Sequence, residues 1–275
     1  MPELSDHSGE IDGLPIFWRS APTPAAAAGV ALYLHGVPGN SDDWLELLGR
    51  TGGLAPDLPG FGRTGKPGSL SYTISEYDRF LERFLAELSV ERVSLIMHDW
   101  GSVGLAFAER MPERVARLVL INSVPFLPGY HWHRIARAWR TPLIGELVMG
   151  SISRRTLRHA SRKWNTMPGP MSEAWLDSVL DHFDQGTQRA ILRLYRSSPP
   201  EVLAAAGASL GRLQMPALVV WGMQDPFIPG RFGREYAEAL GRAELIELAD
   251  AGHTPWLDRP DVLDRVVDFL NAPPA

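Results

Sequence analysis

Three residues of this 275-residue chain could share one reaction: Asp99, Asp225 and His253. Asp99 lies in Met97-His98-Asp99-Trp100-Gly101-Ser102, between an apolar run at 93–96 and a helical pattern at 102–110. A strand that enters a helix through so few residues bends sharply. The bend thrusts the apex side chain into the open and aims the following N–H groups at the same space. A carboxylate at that apex attacks saturated carbon and forms an alkyl ester on the protein, where a serine would take an acyl group from an ester or amide. Asp225 follows the apolar run Val219-Val220-Trp221-Gly222, and His253 follows the segment 243–248 within Ala251-Gly252-His253-Thr254-Pro255. A histidine oriented by a carboxylate is the base that hydrolysis of such an ester needs. Taken singly, each residue has a plainer use: Asp99 as a helix cap, Asp225 before Pro226 as a turn former, His253 as a structural loop residue. Their order, nucleophile then acid then histidine, each just beyond a strand, makes the catalytic reading the stronger one.

The elements that must position these residues follow from periodicity. Apolar runs at 30–34, 93–96, 118–121, 217–221 and 243–248 read as strands, and helical spacing recurs at 75–88, 231–240 and 262–270. This alternation predicts an α/β fold with a mostly parallel sheet covered by helices on both faces. Residues 11–20 suit an edge strand whose pairing Pro15 limits. The strand at 30–34 stops at His35-Gly36-Val37-Pro38-Gly39, where glycine lets the loop close on Asp99. The backbone N–H of Val37, together with that of Trp100, would then form an oxyanion hole. From about residue 124 to 213 the alternation fails. Helical patterns at 132–140, 143–149, 154–163, 173–182 and 188–195, punctuated by prolines, predict an inserted helical cap over a core of residues 1–123 and 214–275.

Composition excludes several classes. The chain is 45% hydrophobic and 21% charged, as a folded globular protein is. Its net charge of −5 and the absence of an extended basic stripe argue against nucleic acid as a partner. Without cysteine there is no disulfide, thiolate metal site or cysteine nucleophile. No run reaches the length of a membrane span, and residues 1–10 are polar and acidic rather than signal-like, so the expected location is cytoplasmic. No metal or organic cofactor is required, since nucleophile, base, acid and oxyanion donors are all protein groups.

His35-Gly36-Val37-Pro38, Asp57-Leu58-Pro59-Gly60-Phe61-Gly62, His98-Asp99-Trp100-Gly101-Ser102, Trp221-Gly222-Met223-Gln224-Asp225 and Gly252-His253 resemble the motifs of α/β-hydrolases with an aspartate nucleophile, the epoxide hydrolases and haloalkane dehalogenases. The resemblance spans about residues 14–270. It implies the α/β-hydrolase fold, a catalytic triad of Asp99, Asp225 and His253, and a pocket including His35, Trp100 and Tyr130. The substrate it implies is a small apolar epoxide or haloalkane, with water as co-substrate.

The two activities differ at the leaving group. An epoxide opens to an alkoxide that must be protonated, whereas a halide departs as an anion and needs only N–H donors. Leu194-Tyr195-Arg196 resembles the epoxide hydrolase pattern in which a late cap tyrosine is the acid. Tyr130 is the early tyrosine candidate, with His131 and His133 as substitutes. For a dehalogenase, Trp100 would be one halide donor. The usual second, an asparagine after His-Gly, is replaced by Val37, which leaves Trp132, Trp139, Trp164 or Trp175 to supply it. Met97 stands where epoxide hydrolases commonly have glycine and Arg189-Ala190-Ile191-Leu192 resembles dehalogenase caps, while Asn122-Ser123-Val124-Pro125-Phe126 resembles the sheet-to-cap junction of epoxide hydrolases. The sequence reading favours an epoxide hydrolase, with haloalkane dehalogenation as the alternative. A non-catalytic binding protein on this scaffold would be expected to have lost a triad member, and none is lost.

Overall fold

The computed structural model describes residues 3–25 and 27–273. The chain opens with β1 (Ser5–Ile11), β2 (Leu14–Ala21) and β3 (Val30–Leu34), followed by α1 (Leu45–Thr51), β4 (Gly53–Pro56) and α2 (Ile74–Glu87). Next come β5 (Val93–Asp99), α3 (Gly104–Arg110) and β6 (Val115–Ser123). Six helices then run without a strand between them: α4 (Arg134–Arg140), α5 (Ile144–Gly150), α6 (Arg154–Ser161), α7 (Glu173–Leu180), α8 (Gln185–Ser197) and α9 (Pro200–Ala206). The chain closes with β7 (Ala217–Gly222), α10 (Arg231–Ala239), β8 (Ala243–Leu248), α11 (Pro255–Asp258) and α12 (Val262–Asn271).

The eight strands form one sheet in the order β1-β2-β4-β3-β5-β6-β7-β8. Only the β1/β2 and β2/β4 pairs are antiparallel; the other pairs are parallel. Every residue of β5 and β6 is buried. That is the signature of parallel strands covered on both faces, and it explains their near-continuous apolar sequence. Alternate residues serve opposite layers: Leu95 and Met97 pack with α2 and α3, while Ile96 packs with α1 and α12. α2 is fixed at its start by a capping box between Thr73 and Glu76, an arrangement in which the cap alone contributes about 1 kcal/mol.

Two elements depart from expectation. The outer strand is β1, drawn from the polar N-terminal segment, so residues 11–20 are not the edge; most of that segment forms the second strand. The hairpin closes through Asp12-Gly13, both at positive φ (51° and 80°), the turn geometry that matches strand twist. Pro15 is accommodated opposite Glu10, and its carbonyl accepts the Gly65 N–H at 2.8 Å. The second departure is α9, which begins at Pro200, where the missing N–H costs a first helical turn nothing.

Candidate active site

β5 delivers Asp99 with φ 48° and ψ −117°, a backbone that a non-glycine residue holds only at a cost of about 1–3 kcal/mol. The chain then enters a 3-10 turn at Trp100–Val103 and continues into α3. Close approach of the β3 loop explains Gly36: a Cβ there would sit 2.6 Å from the Asp99 Cβ. With glycine in place, the Val37 N–H donates to Asp99 Oδ2 at 2.9 Å. Burial pushes the Asp99 carboxyl above its ordinary pKa. The charge of His253 and the N–H groups of Val37 and Trp100 oppose that rise, and Asp225 adds to it. One carboxylate oxygen is therefore held by the loop, and the other is left to react.

His253 and Asp225 come from the ends of β8 and β7. The ring Nδ1 of His253 is 2.8 Å from Asp225 Oδ2. Asp225 is itself clamped: Phe227 and Ile228 N–H groups donate to Oδ1 at 2.7 and 3.1 Å, and Asn122 Nδ2 donates to Oδ2 at 2.7 Å. Asn122 is fixed in turn by the Gly222 N–H, which donates to its Oδ1 at 2.8 Å. Burial disfavours the imidazolium, but the carboxylates of Asp225 and Asp99 outweigh it and raise the His253 pKa above its ordinary value. Backbone contacts hold the histidine loop: His253 N–H donates to the Trp164 carbonyl at 2.8 Å, and His98 Nε2 donates to the His253 carbonyl at 2.9 Å.

Asp99 and His253 open into a cavity of about 220 Å³ whose other walls come mostly from the helices between β6 and β7. Ile135, Val148, Ile152, Leu157, Val179, Phe183 and Ile191 make it largely apolar. Tyr130 and Tyr195 line this same cavity. The Tyr130 hydroxyl is buried without a hydrogen-bond partner among the described residues. Burial holds its pKa above the ordinary tyrosine value, with the Asp99 charge adding to the effect. Tyr195 is raised in the same way, by burial first and then by Asp99; the Trp100 indole N–H opposes this, though it lies outside ordinary hydrogen-bond geometry. Both phenols are thus neutral donors near a buried carboxylate.

The structure separates the remaining candidates. Val37, Tyr130, Tyr195, Asp99 and His253 all line the cavity, and Asp225 stands behind His253. Trp100 does not line it. Its indole is covered by Trp132, stacked at 5.4 Å, and by the edge of Tyr195 at 5.2 Å. His35 also lies outside the cavity wall, because its ring is spent on the backbone: Nε2 accepts the Leu58 N–H at 2.9 Å and Nδ1 donates to the Gly36 carbonyl at 2.8 Å. It ties the loop after β3 to the loop after β4. His131 is exposed, and His133 caps α4 with a pKa lowered by burial to about 4, so its neutral ring is no acid at pH 7. Of the four tryptophans named as halide donors, Trp132 gives its N–H to the Ser198 carbonyl at 2.8 Å and Trp175 to Asp43 at 3.1 Å. Trp139 and Trp164 line the cavity, and the Trp139 N–H is buried without a partner among the described residues.

A family model described as the alpha/beta hydrolase family matches residues 31–266. The chain belongs to that family. A haloalkane dehalogenase of Mesorhizobium japonicum is similar to this hydrolase at 29% identity, covering 88% of this chain and 84% of the relative. The solved structure of the haloalkane dehalogenase DbeA from Bradyrhizobium elkani superposes with a TM-score of 0.83 at 24% identity, covering 98% of each chain. The epoxide hydrolase CorEH superposes with a TM-score of 0.80 at 21% identity, covering 97% of this chain and 98% of that one. At those identities the two structures speak for the fold of this hydrolase and no further.

Residues beyond the sequence reading hold Asp225 in place in this hydrolase. Asn122 was legible as part of a junction but not as a donor to Asp225, since nothing local shows that the end of β6 lies against the loop after β7. The N–H groups of Phe227 and Ile228 had a weak signal in Asp225-Pro226, a pairing typical of side-chain-capped turns.

Proposed function

We propose that this hydrolase opens small apolar epoxides to vicinal diols through an ester on Asp99. Asp99 attacks a ring carbon, the C–O bond breaks, and the alkoxide takes a proton from Tyr195 or Tyr130. Phenols with raised pKa remain protonated at neutral pH, and an alkoxide is more basic still, so the transfer runs downhill. His253 then removes a proton from water as the oxygen attacks the Asp99 ester carbonyl. The developing oxyanion is met by the Val37 and Trp100 N–H groups. Collapse releases the diol and returns Asp99 as a carboxylate, the proton taken up by His253 goes back to the tyrosine phenolate, and the sum is epoxide plus water.

The observation that carries this reading is that Tyr130 and Tyr195 both line the cavity with Asp99 while Trp100 does not. A second reading, hydrolysis of a carbon–halogen bond, is supported by the buried N–H groups of Trp100 and Trp139, which lack partners among the described residues. The similarity to haloalkane dehalogenases favours it too. It requires Tyr195 to move aside so that the Trp100 N–H meets the leaving atom. Incubating the purified protein with styrene oxide and with 1-bromohexane separates the two. Diol without bromide is the expected result; bromide without diol transfers the assignment to dehalogenation.

A further inference from the structure

One segment of the insertion is unlike the rest of the chain in both charge and exposure. Of the 27 lysines and arginines, eight fall within residues 134–163, against only one of the 32 acidic residues, Glu146. The rest of the chain is therefore strongly acidic, and its positive charge is concentrated on α4 to α6. Glu146 is occupied by Arg196 at 2.8 Å, and Glu173 and Asp177 engage Arg154 and Arg158. Arg155, Arg162 and Lys163 are exposed and make no ion pair among the described residues. At the start of the preceding helix α5, Leu143 and Leu147 stand 79% and 75% exposed, and Ile144 is 50% exposed. Leu143 does so from a left-handed backbone, φ 66°, which a branched side chain adopts only under strain.

This surface adjoins the way into the cavity. Thr156 and Ala160 on α6 are exposed and also line the cavity, so the opening runs along this helix. Arg155 neighbours Thr156 on α6, and Arg162 and Lys163 follow in the turn that closes the helix, where the Lys163 N–H donates to the Ala160 carbonyl. Val148 and Ile152, which follow the exposed leucines, reach the cavity from the other side.

We propose that this face docks on an anionic lipid bilayer, with Leu143, Ile144 and Leu147 entering the interface and Arg155, Arg162 and Lys163 meeting the headgroups. Exposed apolar side chains flanked by unpaired cations are what interfacial binding requires, and the acidic remainder of the protein would be turned away from the membrane. Such docking sets the cavity mouth against the phase in which apolar substrates accumulate. The proposal does not depend on which leaving group the site accepts.

The test is co-sedimentation of the full chain with phosphatidylglycerol–phosphatidylcholine vesicles and with pure phosphatidylcholine vesicles, at low and high salt. Binding is expected only to the anionic vesicles and should weaken with salt. The variant R155E/R162E/K163E should bind roughly a hundredfold more weakly, since each cation near the surface is worth about a fivefold change. The variant L143S/L147S should also lose binding while keeping the salt response of what remains. Both variants should hydrolyse a water-soluble substrate at the parent rate, which shows that they fold. Equal binding to neutral vesicles, undiminished binding by either variant, or tighter capture by heparin than by anionic vesicles would overturn the proposal; the last would assign the face to a soluble polyanion.

Discussion

The floor and the roof of the cavity are built on opposite principles. At the floor, where strands end, polar groups are held in place: Asp225 accepts from two backbone N–H groups, from Asn122 and from His253, and Asp99 is gripped by the Val37 N–H. In the roof, carried by the helical insertion, the donors are unspent: the Tyr130 hydroxyl and the Trp139 N–H are buried and unpaired among the described residues. A buried donor without a partner costs about 1–3 kcal/mol, and two such groups on one wall are poor economy unless something arrives to accept from them. On the proposed function, the floor sets the reaction, attack and ester hydrolysis, and the roof sets which leaving atom is received.

The largest effect should come from the floor. In His253→Gln the attack on substrate survives while the second half-reaction loses its base, so turnover should fall by about 10⁴-fold or more. Mass spectrometry of the protein after substrate addition should show one stable adduct on the Asp99 peptide, and Asp99→Ala should show none. An unmodified His253→Gln protein would break the division of labour described above, since floor and attack would then not be separable.

Asp225→Asn should lower turnover by about 10²–10⁴-fold, and its pH profile carries more information than its rate. The base must be neutral, so hydrolysis is lost as pH falls through the His253 pKa. In the free protein the carboxylates of Asp225 and Asp99 raise that pKa above its ordinary value against burial; in the ester Asp99 carries no charge, and Asp225 is the carboxylate that remains. With the Asp225 charge removed as well, burial acts on the imidazolium of the ester unopposed by either, and the limb should move to lower pH. A limb that stays in place would mean that the titrating group is not His253.

How legible each region was follows the same divide. The triad, the strand ends and the glycine beside Asp99 could be read from the sequence because each is a local device: a bend, a turn, a small residue where backbones approach. The β1 hairpin was missed although Asp12-Gly13 announces it, because the strand is polar and lies at the edge, where apolar alternation is weak. The roof was read as helices, but which side chains face Asp99 depends on how those helices cross, and that is set by tertiary packing. Trp100 shows the limit best. Sequence adjacency to Asp99 suggested a wall of the pocket, yet Trp132 and Tyr195 cover its indole. Tyr130 shows the reverse, since the resemblance placed it in the pocket and it lines the cavity.

The roof is probed by removing one hydroxyl at a time. Tyr195→Phe should slow alkylation by epoxide about 10²-fold, the ordinary value of a positioned general acid, and Tyr130→Phe by a comparable or smaller factor. The comparison sharpens with 1-bromohexane: loss of a proton donor should leave halide departure nearly unchanged, so the ratio of epoxide to bromide turnover is the readout. A parallel fall with both substrates would mean that Tyr195 shapes the cavity rather than donating a proton.

The smallest expected effect returns to the floor, at Asn122. Its amide donates to the same Asp225 oxygen that faces His253 Nδ1, so it restricts where that carboxylate can point without touching substrate. In Asn122→Ala the Phe227 and Ile228 N–H groups still hold the other oxygen, and the loss should be about tenfold in turnover, with KM unchanged because the cavity wall is intact. Asn122→Ser, which keeps a short donor, should recover part of it. A change confined to KM would place Asn122 among the residues that shape binding, and the floor would then be less independent of the roof than its hydrogen bonds imply.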